Sequence, residues 1–559
     1  MKRHFRENYL VVGEGILTHD EQRLPVCQRP STEAELRKFR FSRLGPPGEG
    51  LDLELRKALA VAMTDGPAQP DSAGPPVPAG FTYLGQFIDH DLTFDRTAAA
   101  LGETVTVDEL IQGRSPALDL DSLYGRGPAN PDGARFYCDG VRLKMGITAA
   151  TPFPDPRVNV DLEGFDLPRV GFGSKKSERR KAVIPDERND ENLAVAQLHL
   201  AFIRFHNRMV TTLAAAGAPS ADLFNVARKS VVKHYQWMVR HDFLPRIVDR
   251  TIVEDVFTNG RKFFEVKPTP GQYDAKRSYM CVQPGDMPTM PIEFSVAAYR
   301  TCHSMIRGAY QWNRVFKSGG PGPAGTLELL FTFSGTSGIL SPDGDIADPE
   351  SGSFERLPTN WIADFRRLFD FTEAGRGDLK PPSANGLNIA KRIDTLLVEP
   401  LKTLPLGSFG GRGTSPPAHE LILPFRNLTR AVMVRLATGQ LMATKFGIAP
   451  LTGDQILNGS GGVALDSLSQ PQKDALTANT PLWFYALREA ELNGGRLTGV
   501  GGRIVAEVFH RAMEASQVSI LRDPSWRPTL GPDPNTFRMV DLLLFAFEQK
   551  VELLNPLGD

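Results

Sequence analysis

The sequence GQFIDHD, residues 85–91, places one histidine between two aspartates, with a glutamine four residues before the histidine. Gln86 and His90 would lie on the same face of a helix, because side chains four positions apart are neighbours there. Asp89 and Asp91 would point sideways from that face, toward different neighbours. The flanking residues are apolar or aromatic, so the polar cluster is predicted to be partly buried. Buried carboxylates need partners or a metal ion, and the cluster therefore indicates a functional site.

The composition is that of an ordinary globular protein. Of the 559 residues, 41% are hydrophobic and 23% are charged, which is enough to bury a core without covalent staples. The 64 basic and 65 acidic residues leave a formal net charge of -1. The chain therefore lacks the strong positive field that attracts nucleic acid or anionic lipid. Small molecules are the expected partners.

The cysteine spacing and the lengths of the hydrophobic runs indicate where the protein is expected to be located. Cys27, Cys138, Cys281 and Cys302 form no CxxC pair, so we expect free thiols rather than a zinc site or a disulfide framework. No apolar run approaches the roughly 18 residues of a membrane-spanning helix. The basic N-terminus is followed by too short an apolar stretch for a signal peptide. We expect a soluble protein that is cytoplasmic or exported by a non-standard route; no pattern predicts its oligomeric state.

The spacing of apolar residues predicts a mainly α fold with little β structure. Apolar residues recur at helical spacing from 190 to 250 and again from 289 to 317. Strand-like alternation is scarce. Segments 327–333 and 137–143 are candidates for small hairpins or for apolar helix ends.

The domain organisation is predicted to be simple. Residues 1–80 are rich in Pro and Gly and are expected to form an irregular arm. Residues 81–559 are expected to form one large helical domain. Its long Gly- and Pro-rich connections would wrap the surface or carry function, and no linker divides it.

A second polar cluster, PDERNDEN at residues 185–192, precedes the first of these helical segments. Asp186 or Asn189 could cap the helix, and acidic residues in its first turn would complement the helix dipole. Arg188 does not fit that pattern, because it is a cation at the positive end of a helix. It would also share a face with Glu191, three residues later. Such a placement indicates a specific task for Arg188.

Two further segments combine histidine, arginine and an amide. The segment YRTCHSMIR contains Arg300, His303 and Arg307, which are three and four positions apart and would line one stripe of a helix. His303 would then lie between two cations, a constraint that a neutral, metal-bound imidazole satisfies. The segment LPFRNLTR supplies Asn427, whose amide could accept the second ring N–H of such a ligand.

Together these segments resemble the haem peroxidase–cyclooxygenase superfamily, which includes the animal-type peroxidases and bacterial relatives. The resemblance covers residues 80 to 550 and rests on five pieces in the family's order: GQFIDHD, an acidic calcium loop, R-x-x-E before a helix ending in FHNR, R-x-x-H, and the asparagine of RNL. It implies a helical haem-peroxidase fold with haem b as cofactor. It also implies that hydrogen peroxide oxidises a small organic donor or a halide through a ferryl intermediate.

The resemblance implies roles for residues on both sides of the haem. His90 matches the distal histidine, which moves a proton from the near to the far oxygen of peroxide. Arg188 matches the cation that stabilises charge on the departing oxygen, and Gln86 matches the distal amide that contacts water or halide. His303 matches the iron ligand, and Asn427 matches the hydrogen-bond partner of that ligand.

The resemblance also concerns the haem periphery. Arg300 is expected near a haem propionate. Asp89 and Glu191 match the two carboxylates that form ester links to haem methyl groups in mammalian members, so covalent attachment is expected to be available. Asn192 stands where a methionine would be needed for a third, sulfonium link, and that link cannot form.

The loop SPALDLDSLYG, residues 115–125, matches the calcium loop of the family. Carboxylates, a hydroxyl and backbone carbonyls form the shell of hard oxygens that calcium prefers. Here these ligands would come from Asp91, Ser115, Ala117, Asp119 and Asp121. Because Asp91 is next to His90, a bound cation would hold the distal helix in place.

Two other functions stay open at this point. The superfamily also contains fatty-acid dioxygenases, which place a tyrosine three residues before the proximal histidine. Here Arg300 holds that position, and Tyr299 is one residue away, which means about 100° of rotation on an α-helix. A non-catalytic haem-binding module is the other alternative. The presence of both His90 and Arg188 argues against it, because binding iron does not require them.

Overall fold

The computed structural model describes residues 39–66, 76–97, 99–152, 155–266, 288–383, 386–407 and 415–559, and the backbone alone of 16–19, 25–28, 408 and 409. Helices dominate this part of the chain, as the sequence predicts, and its strands are short.

The α-helices of the described residues range from single turns to 23 residues. In chain order they are α1 (Leu53–Ala62), α2 (Gly80–Leu92), α3 (Asp121–Tyr124), α4 (Pro131–Ala134), α5 (Lys176–Arg180), α6 (Leu193–Ala215), α7 (Leu223–Met238), α8 (Leu244–Ile247), α9 (Arg250–Asn259), α10 (Leu327–Thr332), α11 (Leu423–Met433), α12 (Gly439–Phe446), α13 (Gly453–Asn458), α14 (Gln470–Ala478), α15 (Leu482–Leu492), α16 (Gly499–Ala515), α17 (Met539–Ala546) and α18 (Val551–Leu554).

Short 3-10 and π segments supplement the α-helices. The 3-10 segments are Val107–Glu109, Glu187–Asp190, Ala298–Met305, Thr359–Trp361, Phe365–Arg367, Phe371–Ala374, Gly377–Leu379, Glu399–Lys402, Leu406–Phe409 and Ala418–Leu421. The π segments are Val239–Phe243 and Glu293–Ala297.

The strands of the described residues pair two by two. They are β1 (Ile16–His19), β2 (Pro25–Gln28), β3 (Phe41–Ser42), β4 (Gly146–Ile147), β5 (Glu163–Asp166), β6 (Met290–Pro291), β7 (Ala309–Tyr310) and β8 (Gly325–Thr326). The pairs β1–β2, β4–β5 and β7–β8 are antiparallel, whereas β3 and β6 are parallel. The strand pairs of the described residues therefore join neighbouring loops, and none of them forms a sheet that serves as a layer of the core.

The long helix α6 lies at the centre of the hydrophobic core. It packs against α2, α7 and α17. Its apolar positions predicted from helical spacing are all buried: Leu193, Ala196, Leu200, Ile203 and Met209. Burying one leucine or isoleucine side chain contributes about 1.5–3 kcal/mol relative to leaving it exposed, so this face holds α6 in the core.

Helix α2 lies against both α6 and the 3-10 segment Ala298–Met305. The approach to that segment is close: a Cβ atom at Gly85 would be 3.4 Å from Sγ of Cys302. The Tyr299 hydroxyl donates to the carbonyl of Gly85 at 3.2 Å. These contacts place the two elements that carry His90 and His303 side by side.

Within the first 80 residues, the described segment 39–66 contains regular structure that the sequence did not predict. Helix α1 buries Leu55 and Leu59 and packs against α11. The backbone N–H groups of Leu44 and Gly45 donate to the Glu293 carboxylate at 2.8 and 2.9 Å. The prediction of an irregular arm is therefore wrong for this part, because its apolar residues bury a helix face against the body.

Of the segment 289–317 that the spacing predicts to be helical, residues 293–305 are helical but not α-helical, whereas residues 306–317 are not helical and include β7. The π turn Glu293–Ala297 leads into the 3-10 segment Ala298–Met305. In a 3-10 helix residues three apart lie one above the other, so Arg300 and His303 still share a face. Arg307 lies beyond the end of the segment and donates to the carbonyl of Ile389 at 3.0 Å. The predicted stripe is therefore wrong for Arg307.

The two segments with strand-like alternation take different forms, and the cysteines and helix lengths can also be compared with the sequence. Residues 327–332 form α10, and an antiparallel bridge joins Tyr137 to Leu143. Cys138 and Cys302 are free thiols, as predicted, whereas the side chains of Cys27 and Cys281 lie outside the described residues. None of the helices in the described ranges has the length and apolar character needed to cross a membrane.

Candidate functional site

A cavity of about 390 Å³ brings together the predicted catalytic and haem-binding residues, although they come from distant parts of the chain. Helix α2, the 186–192 turn, the 3-10 segment Ala298–Met305 and α11 all contribute to its wall. The predicted residues that line it are Gln86, Asp89, His90, Arg188, Glu191, Arg300, His303 and Asn427.

The two ring nitrogens of His90 have different neighbours. The side chain is almost completely buried. Nδ1 lies 2.8 Å from Oδ1 of Asn189, a hydrogen-bond distance. Nε2 lies 3.5 Å from Oε1 of Glu191, which is longer than a good hydrogen bond. Nε2 is therefore the more accessible nitrogen for a ligand in the cavity.

Gln86 links the distal helix to the residues after Arg188. Its amide nitrogen donates to Oε1 of Glu191 at 2.5 Å. The Asn192 amide in turn donates to Oε1 of Gln86 at 3.0 Å. Both Gln86 and Glu191 are thus held by side chains rather than left free in the cavity.

The start of α6 differs from the prediction. Asn192 caps the helix, because its Oδ1 accepts from the backbone N–H of Val195 at 3.0 Å. Asp186 caps the preceding 3-10 turn instead, by accepting from the N–H of Arg188 at 3.0 Å. The expected capping of the helix by Asp186 or Asn189 is therefore wrong, since a separate turn intervenes.

The guanidinium of Arg188 is fixed by three contacts. It donates to both carboxylate oxygens of Asp186, at 3.0 and 2.7 Å, and to the backbone carbonyl of His90 at 3.0 Å. It also stacks over the ring of Phe94, with 3.9 Å between the guanidinium carbon and the ring centre. Arg188 therefore belongs to a turn that is tied to the end of α2.

Asp186 is the buried anion that compensates this cation and a second one. The Arg114 side chain is buried as well, and it donates to Asp186 at 3.0 Å and to the His90 carbonyl at 3.2 Å. Burial by itself would raise the pKa of Asp186. The positive charges of Arg114 and Arg188 outweigh burial and hold that pKa well below its usual range.

His303 and Asn427 meet on another wall of the cavity, but the amide nitrogen faces the ring instead of the predicted accepting oxygen. The Asn427 amide nitrogen lies 3.1 Å from Nδ1 of His303, and in this orientation the amide donates to Nδ1 and the proton of the neutral ring lies on Nε2. Burial, followed by the charge of the nearby Arg300, lowers the pKa of His303 to about 3. The ring is therefore neutral at physiological pH, the form that can bind iron. A rotation of the amide by 180° would present its oxygen to an Nδ1–H donor.

Asp89 and Arg300 lie close to each other at the cavity wall. Their nearest charged atoms are 3.9 Å apart. Asp89 also accepts from the Thr93 hydroxyl at 2.9 Å, and Arg300 donates to the carbonyl of Ser295 at 2.9 Å. This cation is therefore available near the cavity, where an anionic group of a cofactor could contact it.

The acidic loop lies behind α2. Asp91, Asp119, Asp121, Ser115 and Ala117 are all completely buried. Burial raises the pKa of Asp91 to about 6. Burial, followed by repulsion from Asp91, raises the pKa of Asp119 well above its usual range. Arg114, 4.0 Å from Asp121, and Arg522 act against these shifts but do not outweigh burial for any of the three carboxylates.

The donor set of this loop fits calcium only in part. Among the described residues, both carboxylate oxygens of Asp119 and one each of Asp91 and Asp121 lack a hydrogen-bond partner. However, no group of three or more His, Cys, Asp or Glu side chains that could hold a metal ion occurs in the described ranges. A calcium ion here would therefore depend on backbone carbonyls and hydroxyls as well as on these carboxylates.

Sequence reasoning assigned no task at the cavity to Asn189, Phe94 or Arg114. Phe94 is apolar and lies in no polar motif, and Arg114 stands directly before the acidic loop, so the sequence pattern pointed to neither residue.

The FHNR motif, to which no catalytic task was assigned, has a structural role: His206 lies 3.1 Å from the Tyr124 hydroxyl. Asn207 both accepts from and donates to the backbone of Leu143 at 2.9 Å.

Sequence comparison points to one family. Residues 76–339 match the family model described as animal haem peroxidase. A segment of 237 residues, 38% of this chain, is 27% identical to thyroid peroxidase of Homo sapiens. A segment of 127 residues, 22% of this chain, is 29% identical to a peroxidase-like protein of Margaritifera margaritifera. The matched segments span 23% and 14% of the lengths of these two relatives.

Structural comparison extends the similarity over nearly the whole chain. Peroxidase A from Dictyostelium discoideum superposes with a TM-score of 0.54 and 15% identity, covering 96% of this chain and 99% of that protein. The fatty acid alpha-dioxygenase of Arabidopsis thaliana gives a TM-score of 0.50 and 12% identity, covering 92% and 75%. At these identities the likeness concerns the fold alone.

The substitution Asp186→Asn tests the buried ion pair. Breaking such a pair leaves uncompensated buried charge, so we expect the free energy of unfolding to fall by about 3–5 kcal/mol at neutral pH. The pKa of Asp186 is lower in the folded than in the unfolded chain. Its contribution is therefore complete above the unfolded value of about 3.9 and is lost as the pH falls through the lower folded value. The stability difference between wild type and variant should shrink below pH ~4 in urea unfolding.

The matched control for this measurement is Asp132→Asn. The Asp132 side chain is 72% exposed, and its loss should change the free energy of unfolding by less than about 0.5 kcal/mol at every pH. Equal stability of D186N and wild type at neutral pH would show that the ion pair does not hold the turn.

Proposed function

We propose that this chain, which belongs to the animal haem peroxidase family, is a haem-dependent peroxidase that uses hydrogen peroxide to oxidise a small organic donor or a halide. The observation that carries the proposal is the common cavity of His90, Arg188 and His303. An imidazole able to bind iron is thus combined with a second imidazole and a guanidinium able to act on peroxide.

The residues of the cavity suit haem b. His303 would hold the iron through Nε2, because its ring is neutral and a 180° rotation of the neighbouring Asn427 amide would place an accepting oxygen at Nδ1. Arg300 would contact a propionate. The bound haem supplies the redox chemistry, and the protein supplies binding, orientation and proton transfer.

His90 and Arg188 would divide the work on peroxide. Nε2 of His90 accepts the proton of one peroxide oxygen and returns it to the other oxygen, which leaves as water. The guanidinium of Arg188, fixed by Asp186 and Phe94, stabilises negative charge on the departing oxygen. Gln86, held by Glu191 and Asn192, would orient water or halide at the same wall.

The two alternative functions are less favoured. For a fatty-acid dioxygenase, the position three residues before His303 is occupied by Arg300 rather than tyrosine. The neighbouring Tyr299 donates to the carbonyl of Gly85 at 3.2 Å and stacks on Phe294. For a non-catalytic haem-binding module, the fixed Arg188 beside His90 would have no use. Oxygen uptake with a long-chain fatty acid, without peroxide-dependent oxidation of a donor, would favour the dioxygenase.

The substitution His90→Gln tests the proposed proton transfer. We expect the rate of the peroxide-induced change in the Soret band of the haem-loaded protein to fall by about 10²–10⁴, because the acid–base group is lost. The Soret band before peroxide should be that of wild type, since His303 is intact. Stopped-flow absorbance measures both. The control His241→Gln alters an exposed histidine outside the cavity and should leave the rate unchanged. A wild-type rate in H90Q would contradict the proposal.

Ester links between haem and protein are the second testable part of the proposal. Asp89 and Glu191 both line the cavity, so we expect peroxide treatment of the haem-loaded protein to attach haem covalently. The intact mass after denaturing extraction would then include the haem. D89N and E191Q should each retain haem through the other link, and the double variant should release it. Asp95→Asn, which alters another cavity carboxylate, is the control. Complete release of haem from treated wild type would contradict this part.

Calcium is the third testable part. The unpaired buried oxygens of Asp91, Asp119 and Asp121 support a bound cation that holds α2. We expect removal of calcium by a chelator to lower the thermal midpoint and re-addition to restore it, because a ligand at 100 times its Kd stabilises by about 2.7 kcal/mol. D119N should show a smaller response, and the exposed D132N should respond as wild type does. Calcium-free wild type with an unchanged midpoint would contradict the assignment.

A further inference from the structure

The surroundings of His90 assign a task to a residue that no family motif singles out. We propose that Asn189 is a positioning residue for His90. Its side-chain oxygen accepts a hydrogen bond from Nδ1–H and so keeps Nε2 free of a proton and open to peroxide. The inference rests on the proposed function and adds the residue that selects the tautomer of the base.

The contact between the two side chains is short and shielded from water. Oδ1 of Asn189 and Nδ1 of His90 are 2.8 Å apart, and Asn189 is completely buried. A neutral imidazole carries one N–H, and the partner of one ring nitrogen decides where that proton lies. An amide oxygen can only accept, so it places the proton on Nδ1. Nε2 is then the basic nitrogen.

The opposite side of the ring does not compete strongly for the proton. Nε2 is 3.5 Å from Oε1 of Glu191, whereas the Gln86 amide donates to the same oxygen at 2.5 Å. The carboxylate oxygen that could draw a proton onto Nε2 is therefore already engaged. Of the two acceptors beside the ring, the Asn189 oxygen is the closer by 0.7 Å.

The backbone around Asn189 is held at both ends of the turn. Its own N–H donates to the carbonyl of Asp186 at 3.0 Å. Asp190, the next residue, accepts from the guanidinium of Arg169 and from the N–H of Gly335 at 3.1 Å. A side chain on a turn fixed in this way can hold a partner in one orientation, as positioning requires.

The amide could in principle face His90 the other way round. Its nitrogen would then donate to Nδ1, the proton would lie on Nε2, and the ring could not accept a proton from peroxide. In the structure Oδ1 is the atom that faces the ring. Asn189→Asp separates the two orientations, because a carboxylate can accept but cannot donate. Asn189→Leu removes both possibilities at similar volume.

The rate of cyanide binding to the haem-loaded ferric protein tests the assignment without turnover. Hydrogen cyanide must give up its proton as it binds iron, so its association rate reports the base at Nε2. We expect N189L to bind cyanide at least about tenfold more slowly than wild type, as is typical when the partner that orients a histidine is lost. N189D should stay clearly faster than N189L. The rate constant for the reaction with peroxide should fall in the same order, more in N189L than in N189D. The Soret band before peroxide is added should be that of wild type.

A matched control is Asn207→Leu, the same replacement at an asparagine that holds the backbone of Leu143 outside the cavity. It should bind cyanide as wild type does. Wild-type cyanide binding by N189L, or equally slow binding by N189D and N189L, would overturn the inference. Failure of the proposed function would look different: wild type itself would then show no peroxide-dependent reaction.

Discussion

The buried ion pair between Asp186 and two arginines is the interaction on which the distal half of the cavity depends. Arg114 directly precedes the acidic loop, and Arg188 carries the charge that faces the cavity. Both also donate to the carbonyl of His90. One carboxylate thus ties two chain segments, at Arg114 and at the 186–188 turn, to the end of α2. Removing a charge from water costs several kcal/mol per ion, so this arrangement is stable only with all three partners in place.

The fold class and much of the site could be predicted from the sequence. The mainly α architecture is confirmed over nearly the whole chain by the likeness to Peroxidase A of Dictyostelium discoideum. Helical spacing predicted the buried face of α6, and the motifs named the residues of the cavity. Spacing alone could not bring His90 and His303 together, because packing between distant segments leaves no local pattern. The order of the family motifs supplied that placement.

Other features were missed for identifiable physical reasons. The apolar pattern of residues 293–305 is compatible with α, 3-10 and π turns, since all of them bring residues three to five apart together. Asn189 and Asn192 are both good caps, and only the separate turn at Glu187–Asp190 shows that Asn192 caps α6. The task of Asn189 could not be seen, because its partner His90 is 99 positions away. A polar contact at that separation follows from tertiary packing, which no local rule describes.

The two histidines of the cavity show how neighbours set the chemistry of one side chain. Each has an asparagine beside Nδ1, but an amide oxygen faces His90 and an amide nitrogen faces His303. Coordination of iron through Nε2 of His303 would require the proton on Nδ1, and the Asn427 amide would accept a hydrogen bond from it only after a rotation of 180°. The proposed proton transfer by His90 would require the same tautomer. What separates their tasks is the charge nearby: Arg188 is fixed next to His90, where peroxide would develop negative charge. Burial, with a smaller contribution from the nearby Arg300, instead lowers the pKa of His303 and keeps that ring neutral.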